Sequence, residues 1–314
     1  MTPNHQTSKR RVLHGLQAEQ YEHPLDRQAL NALEGTPGLE MAIRKVNQYG
    51  VERILRAQYA GSYLQVTSKT PGGLLAILEE VCQTVHLPQV PGLYICQGYE
   101  IGAYVVGSEN PMIVLNSGTV MKLTKKELMF VLGHEVGHIK SQHIVYRVLA
   151  EGILPVISGL LSKATLGFGD ILSTPIQLAL YGWYRKSELT CDRAGLLAAQ
   201  DFDAVVTAMM KMSGAPESCY DQLDPQQFLE QARSYQDLDE QALDNIAKRI
   251  GVMTRSHPWT VLRCAELENW VTSGAYGDLL DQYSGRAIAK GYCTQCGRPV
   301  KSNATFCIHC GGAV

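Results

Sequence analysis

The sequence predicts an α+β fold that is mainly helical, with a small mixed sheet and a small metal-binding module at its C-terminal end. Most of the chain shows the three- to four-residue hydrophobic period of amphipathic helices, whereas short β-branched and aromatic runs are confined to residues 94–115. Two C-x-x-C pairs fall within the last 22 residues. A length of 314 residues suits one large domain with appendages.

The composition excludes several classes of protein. With 28 basic and 30 acidic residues and 45% hydrophobic residues, the chain fits neither a general nucleic-acid binder, a polybasic membrane binder nor an intrinsically disordered protein. Five of its nine cysteines stand singly and four are paired at the end, unlike a secreted disulfide framework. We therefore predict a cytoplasmic location with metal-binding cysteines, and we recognise no secretory leader in residues 1–36.

Local patterns predict the elements in chain order. Residues 1–40 are polar, with Gly and Pro near their end, and are expected to form a loosely ordered lead-in. A helix is predicted over residues 73–87, and three short strands follow at 94–96, 103–106 and 112–115. Thr124 and Glu127 form a capping box directly before an apolar helical run. Later helices are predicted at about 186–200, 225–235, 239–250 and 258–272.

The predicted organisation is therefore a body with a terminal module. The domains are a lead-in (1–40), a body (41–275), a linker (276–291) and the cysteine-rich module (292–314). The apolar stretch at residues 145–184 is interrupted by charges and prolines, and its longest uncharged runs have 11 and 14 residues. Since a spanning helix needs about 20 residues, buried or amphipathic helices are expected there, with peripheral membrane contact as the alternative.

One helix carries the motif with the clearest chemistry, His134-Glu135-Val136-Gly137-His138. Residues four apart lie on the same face of an α-helix, so the two imidazoles can bind one zinc ion. Glu135 is then close enough to act on a water molecule at the metal.

A catalytic zinc also needs a third protein ligand and an open fourth position. The histidine of the metzincin pattern is absent, because Ile144 stands in its place, and no glutamate stands about 20 residues past His138, where thermolysin-like enzymes carry one. A second patterned helix instead carries Glu188 and Asp192, four residues apart on one face. We expect Glu188 to complete the ligand set, and Asp192 to accept the second N–H of a ligand imidazole and fix its tautomer.

H-E-x-x-H, followed 50 residues later by E-x-x-x-D-R-x-G, resembles the zinc endopeptidases typified by the HtpX heat-shock protease and the CAAX prenyl protease. Within these gluzincins, His143 and the lack of clear spanning helices make the chain most similar to the soluble, BepA-like members. The resemblance covers roughly residues 73–270. It implies a zincin-like metalloprotease body that holds one catalytic zinc and hydrolyses peptide bonds in protein substrates.

Two further blocks contribute to the resemblance. The family's Asn-Ala-Phe/Tyr-x-x-Gly block, ahead of a substrate-binding strand, matches residues 102–107, with Gly102 in place of the asparagine. The resemblance implies that substrate binds by edge pairing along this block and the next strand, through Ala103, Tyr104, Ile113, Val114 and Leu115. Downstream, His257-Pro258 and Arg263 match a family His-Pro and arginine, which implies that His257, with Arg263, stabilises the oxyanion or gates the site.

The tail resembles the small zinc ribbons found at the ends of many bacterial proteins. Its candidate ligands, which would form a closed tetrahedral site, are Cys293, Cys296, Cys307 and Cys310. Because this segment is short, it buries little apolar surface. A structural zinc must therefore supply its folding energy. The module could bind a protein partner, while Lys290, Arg298 and Lys301 are too few basic residues to favour nucleic acid.

The predicted function is therefore a zinc-dependent endopeptidase with one catalytic and one structural zinc, acting in protein quality control with Glu135 as general base. One alternative is a catalytically silent zinc scaffold that recruits a partner through the ribbon. Another is a membrane-associated protease that uses residues 145–184 as its anchor.

Overall fold

The computed structural model describes residues 10–37, 39–40, 43, 51–70, 72–150, 174–237 and 259–283. Some predictions fall outside this part of the chain. They concern the four tail cysteines, His257, the helix at 239–250 and residues 151–173 of the apolar stretch. Within the described residues, no helix combines the length and the apolar character needed to cross a bilayer.

The structure is mainly helical with a small mixed sheet, which confirms the predicted fold class. The helices are α1 (Pro24–Glu34), α2 (Val51–Ser62), α3 (Leu74–Thr84), α4 (Ser117–Lys122), α5 (Lys125–Lys140), α6 (Ile144–Ala150), α7 (Thr174–Ala199), α8 (Phe202–Met212), α9 (Pro225–Asp237), α10 (Thr260–Thr272) and α11 (Ala275–Gln282). The strands are β1 (Leu64–Gln65), β2 (Gly92–Cys96), β3 (Ala103–Val106) and β4 (Met112–Asn116).

The sheet has the strand order β1-β2-β4-β3. β4 runs parallel to β2 and antiparallel to β3, so β4 is an inner strand and β3 is an edge strand. One face of the sheet, with Ile113 and Leu115, packs into the main core. The other face, with Tyr94 and Val114, is partly covered by Tyr59 of α2. The sheet thus has α2 on one side and the main helical core on the other.

The two helices that carry the motif residues, α5 and α7, pack at unusually short range. A methyl group added at Gly137 of α5 would lie 2.8 Å from the Cβ atom of Ala194 on α7. Methyl groups at Gly133 and Gly195 would likewise collide with the opposite helix. Small residues on both helices therefore let the two backbones approach closely, which places their polar side chains within contact distance.

The lead-in prediction is wrong for residues 10–37. Leu13, Leu16 and Tyr21 are almost completely buried in the main core. α1 packs against α7, begins with Pro24 at its first turn and is capped by the His23 side chain. The sequence signal is weak because the buried residues of α1 are Leu33 and a carboxylate, Asp26, rather than a full apolar stripe.

The predicted linker, residues 276–291, begins before the folded body ends. Gly274 adopts a left-handed conformation with φ 84°, and the chain then continues as α11. Leu279 and Tyr283 are buried against the body. The glycines at 274 and 277 suggest a flexible connection, yet Gly274 makes a turn between two packed helices.

Candidate active site

The H-E-x-x-H residues lie on the buried part of α5. The helix begins with the predicted capping box, since Glu127 Oε2 accepts the Thr124 N–H at 2.7 Å and the Thr124 hydroxyl accepts the Glu127 N–H at 3.5 Å. Further along, His134 is 7% exposed and His138 is fully buried, with their ring centres 5.0 Å apart. Two imidazoles placed four residues apart on one helix face can bind the same metal ion.

Glu188 of α7 faces both imidazoles. Its Oε2 lies 3.3 Å from His134 Nε2, and its Oε1 lies 3.2 Å from His138 Nε2. The structure therefore brings the three predicted ligands together, although they lie on two helices that are far apart in sequence. A divalent cation between these atoms would receive two imidazole nitrogens and one carboxylate, the donor set of many catalytic zinc sites.

Asp192 and Arg263 support this group from behind. Asp192 Oδ1 accepts from His134 Nδ1 at 3.0 Å, the contact predicted for it. Arg263 of α10 donates to both Asp192 oxygens, from Nε at 2.7 Å and from Nη2 at 2.5 Å. This two-point contact positions the Arg263 guanidinium on Asp192, while its Nη1 lies 3.6 Å from Glu188 Oε2 and the side chain lines the cleft beside the site.

The pKa values of His134 and His138 are shifted in opposite directions. Burial favours the neutral imidazole of His134, but the carboxylates of Glu188 and Asp192 outweigh it and raise the pKa to about 9. Burial and the nearby Arg147 cation instead hold the pKa of His138 well below its ordinary value. For Asp192, the Arg263 cation outweighs the effect of burial and lowers the pKa of the carboxyl. The site thus concentrates carboxylate charge around His134, where a bound cation would be stabilised.

The donor atoms themselves fit a metal. His138 Nε2 is buried and makes no hydrogen bond of good geometry to any described residue, although Glu188 Oε1 is 3.2 Å away. A buried imidazole nitrogen and a carboxylate oxygen that lie this close without a well-formed hydrogen bond are costly, and a cation between the two atoms would remove that cost. These residues therefore fit a zinc ion.

Cys191 offers an alternative third donor. Atoms of His134, His138 and Cys191 lie within 4.8 Å of one another. However, the Cys191 Sγ is 3.6 Å from His143 Nδ1, on the Nδ1 side of His138, whereas Glu188 faces the Nε2 atoms of both histidines. Burial also raises the pKa of the Cys191 thiol well above its ordinary value. Glu188 is therefore the better ligand.

A cleft of about 630 Å³ opens beside this group. Its lining includes His134, Glu135 and Glu188 on one side and Gly102 and Ala103 at the start of β3 on the other. A peptide lying in the cleft would thus contact both the edge strand and the candidate metal site.

The predicted substrate strand needs correction. Ile113, Val114 and Leu115 belong to β4, which is paired on both sides and fully buried, so they cannot pair with a substrate. The available edge belongs to β3. Because the Asn116 N–H donates to the Gly102 carbonyl, the antiparallel alternation leaves the backbone groups of Ala103 and Val105 pointing outward.

Tyr104 also differs from the prediction. Its side chain lies on the opposite face of the sheet, where its hydroxyl donates to the Tyr63 hydroxyl at 3.3 Å and its ring meets Tyr59 edge-on. Tyr104 therefore holds β3 against α2 and the loop after it, and the main chain of β3 is what faces the cleft.

Two buried residues near the site, Arg147 and Asp26, were not predicted from the sequence. Arg147 of α6 places Nη1 3.5 Å from Glu135 Oε2. His143, named above only for the family resemblance, lies with Nδ1 3.1 Å from His138 Nδ1, and Asp26 of α1 lies behind it. These contacts cannot be predicted from helical spacing along α5, because the chain turns back at Gln142, which has φ 57°.

Comparison with known proteins agrees with this geometry. Residues 68–271 match the model of peptidase family M48. The chain belongs to peptidase family M48. Residues 292–314 match a zinc-ribbon domain, as the paired cysteines predicted. This M48 chain is accordingly a zinc metalloprotease, which confirms the predicted enzyme class.

Several curated proteins are similar to this M48 peptidase. A plastoglobule-localized metallopeptidase 48, chloroplastic, from Arabidopsis thaliana is 33% identical over 267 residues, which cover 84% of this chain and 76% of the relative. A protease HtpX from Xylella fastidiosa is 30% identical over 84 residues, 26% of this chain and 29% of that protein. An HtpX homolog from Streptococcus pyogenes is 21% identical over 182 residues, 47% of this chain and 60% of the homolog. The resemblance to HtpX is thus confirmed, although the chain spans less than two thirds of either HtpX protein.

Proposed function

We propose that the chain is a zinc-dependent endopeptidase that cleaves extended segments of protein substrates, with His134, His138 and Glu188 as the ligands of its catalytic zinc. The observation that carries this proposal is the contact of both Glu188 oxygens with the two imidazoles, at 3.3 and 3.2 Å. These atoms converge from two helices in a buried site and provide the donor set of many catalytic zinc ions, and Arg263 Nη1 lies 3.6 Å from the same carboxylate.

Glu135 is the proposed general base. It follows His134 directly on α5, is 4% exposed and lines the cleft with the ligand residues. Zinc, when bound there, polarises the scissile carbonyl and makes water more acidic. The Glu135 carboxylate would take a proton from the attacking water and return it to the leaving amine.

The remaining predicted residues take supporting roles in this proposal. Asp192 holds His134 in the tautomer that leaves Nε2 able to bind metal, and Arg263 holds Asp192 through its two donors. We retain the oxyanion role for His257, which lies outside the described residues and follows from the family resemblance alone.

Substrate binding is proposed to use the main chain of β3. The outward backbone groups of Ala103 and Val105 would pair with an extended peptide laid along the cleft. Edge pairing depends on hydrogen bonds to the substrate backbone rather than on one particular side chain, so it suits unfolded chains of varied sequence. This supports a role in protein quality control.

The test is cleavage of unfolded casein by the full-length chain and by Glu135→Gln, with zinc content measured for both. We expect Glu135→Gln to lose about 10²–10⁴-fold in kcat while it keeps its zinc, because Glu135 acts on water and is not a ligand. Glu188→Gln is the matched comparison, since it should lose zinc together with activity. Undiminished cleavage by Glu135→Gln would refute the proposed general base.

A further inference from the structure

We propose that His143 and Asp26 form a buried positioning pair that fixes the tautomer and orientation of His138. Asp26 lies outside the family-matched residues 68–271, so a segment ahead of them would help to build the metal site. The inference rests on the proposed zinc site.

The chain returns to His138 directly after α5. Gln142 takes a left-handed conformation with φ 57°, and the His143 N–H then donates to the His138 carbonyl at 3.0 Å. This reversal brings the His143 ring onto the His138 ring, with 3.1 Å between their Nδ1 atoms. His138 is 0% exposed and His143 is 1% exposed, so water does not compete for this contact.

Two facing imidazole nitrogens form a hydrogen bond only if one carries a proton and the other does not. On its far side, His143 Nε2 lies 3.4 Å from Asp26 Oδ2. An ionised carboxylate only accepts hydrogen bonds, so the proton of a neutral His143 belongs on Nε2. His143 Nδ1 then accepts the proton of His138 Nδ1, and this leaves the lone pair of His138 Nε2 directed at Glu188 and the metal position.

Other contacts hold Asp26 in place for this role. The Thr190 hydroxyl of α7 donates to Asp26 Oδ2 at 2.5 Å and accepts the backbone N–H of His23 at 3.0 Å. Asp26 is 0% exposed. Cys191 also approaches His143 Nδ1, at 3.6 Å, but a thiol is a weak donor beside an imidazole N–H.

The two ligand histidines are thus supported in the same way by different elements. His134 Nδ1 donates directly to a carboxylate of α7, Asp192. His138 Nδ1 reaches a carboxylate of α1, Asp26, through His143. Hydrogen-bond acceptors of this kind orient metal-binding imidazoles and raise their basicity.

The experiment measures metal binding rather than turnover. The full-length chain would be loaded with Co²⁺ and compared with the same chain carrying His138→Ala, so that the difference spectrum isolates the d–d bands of the nitrogen- and oxygen-ligated site from those of the four-cysteine site. Affinity would be determined by chelator competition on these difference bands. Asp26→Leu should weaken Co²⁺ binding about 10–100-fold and alter the d–d bands. Asp26→Asn and His143→Gln each keep an acceptor oxygen and should retain most of the affinity.

A buried substitution also perturbs packing, so Leu33→Ala of the same helix is the matched control. Leu33 is 1% exposed and lies seven residues after Asp26, in the apolar cluster that includes Leu149 and Leu180, so its truncation should lower the melting temperature without changing the Co²⁺ spectrum. The inference is overturned if Asp26→Leu binds Co²⁺ like the wild type, or if Leu33→Ala loses as much affinity. A wild-type spectrum that matches the spectrum of His138→Ala would instead refute the proposed zinc site.

Discussion

Glu135 is buried beside the guanidinium of Arg147, an arginine on the helix after the motif. Each side chain is 5% exposed, and Arg147 Nη1 lies 3.5 Å from Glu135 Oε2. Arg147 is itself fixed, because its Nη2 donates to the Tyr184 hydroxyl at 3.1 Å. A carboxylate at this depth would be costly to keep ionised without a nearby cation. Arg147 therefore stabilises the charged form that a general base requires.

We predict that Arg147→Met lowers the free energy of unfolding by about 3–5 kcal/mol, because it leaves a buried carboxylate without this cation. Adding Glu135→Gln should restore a large part of the loss, since the neutral amide needs no counter-charge. Urea unfolding of the two single variants and the double variant measures the coupling.

The exposed pair of Arg11 and Asp281 serves as the comparison. The two side chains are 44% and 72% exposed, so Arg11→Met should cost only about 0–1 kcal/mol. Equal losses at positions 147 and 11, or no recovery in the double variant, would contradict a buried charge pair at Glu135.

At the scale of elements, the contact between α5 and α7 sets the geometry of the site. Gly137 lies between His134 and His138 on α5. A methyl group added there would contact Ala194 and Cys191 of α7. Gly182, on the same long helix α7, has open space where a methyl group would be added. Replacing each glycine with alanine therefore separates the effect of close helix packing, at Gly137, from the effect of helix propensity, at Gly182.

Gly137→Ala should lower stability by about 1–3 kcal/mol, because the helices must separate to admit the methyl group. It should also reduce zinc affinity, since the separation moves Glu188 away from both imidazoles. Gly182→Ala should instead leave stability unchanged or raise it by up to about 1 kcal/mol, as alanine is the better helix former. Thermal melts and zinc competition on the two variants test this. A neutral Gly137→Ala would mean that the close approach is not needed.

The sequence predicted the residues of the site better than their surroundings. Helical spacing is local, so His134 and His138, or Glu188 and Asp192, could be placed on shared faces from four-residue intervals. Strand order is not local, and the pattern at 112–116 gave no sign that β4 is paired on both sides. Edge pairing was therefore extended from β3 to β4, although β4 is an inner strand. α1 was missed because its buried face contains Asp26, which no hydrophobic pattern detects.

α1 is also joined to the body by a hydrogen bond to a carboxylate that responds to pH. His23 Nε2 lies 3.2 Å from Glu266 Oε2 of α10, and this hydrogen bond lowers the pKa of Glu266 below its ordinary 4.5. A depressed carboxyl pKa stabilises the fold above the unfolded-state value, and the contribution is lost as the pH falls through the folded-state value.

We therefore expect part of the stability to disappear below about pH 4.5, and Glu266→Gln to remove that part of the pH dependence. Urea unfolding of both proteins between neutral pH and about pH 3 tests the sign. Superimposable pH profiles for the wild type and Glu266→Gln would show that this pair does not contribute.

At the scale of the whole molecule, the buried core of the body includes residues from both sides of the family-matched region. Leu13 and Leu16 precede that region and Leu279 and Tyr283 follow it, yet all four are buried in the main core. The folding unit is thus larger than the matched peptidase region. The zinc ribbon at 292–314 differs, because its cysteines can close a metal site among themselves.

This difference predicts how the molecule responds to truncation. Deleting residues 292–314 should lower the zinc content from two ions per chain to one, because the ribbon ligands are all within that segment. Casein cleavage and the melting temperature of the body should change little, since the proposed catalytic ligands lie on α5 and α7. Deleting residues 10–37 should instead unfold the body, as it removes α1 and exposes the apolar core. Metal analysis and thermal melts of both truncations test these outcomes. A loss of both zinc ions on removing the ribbon would show that the ribbon and the body fold as one unit.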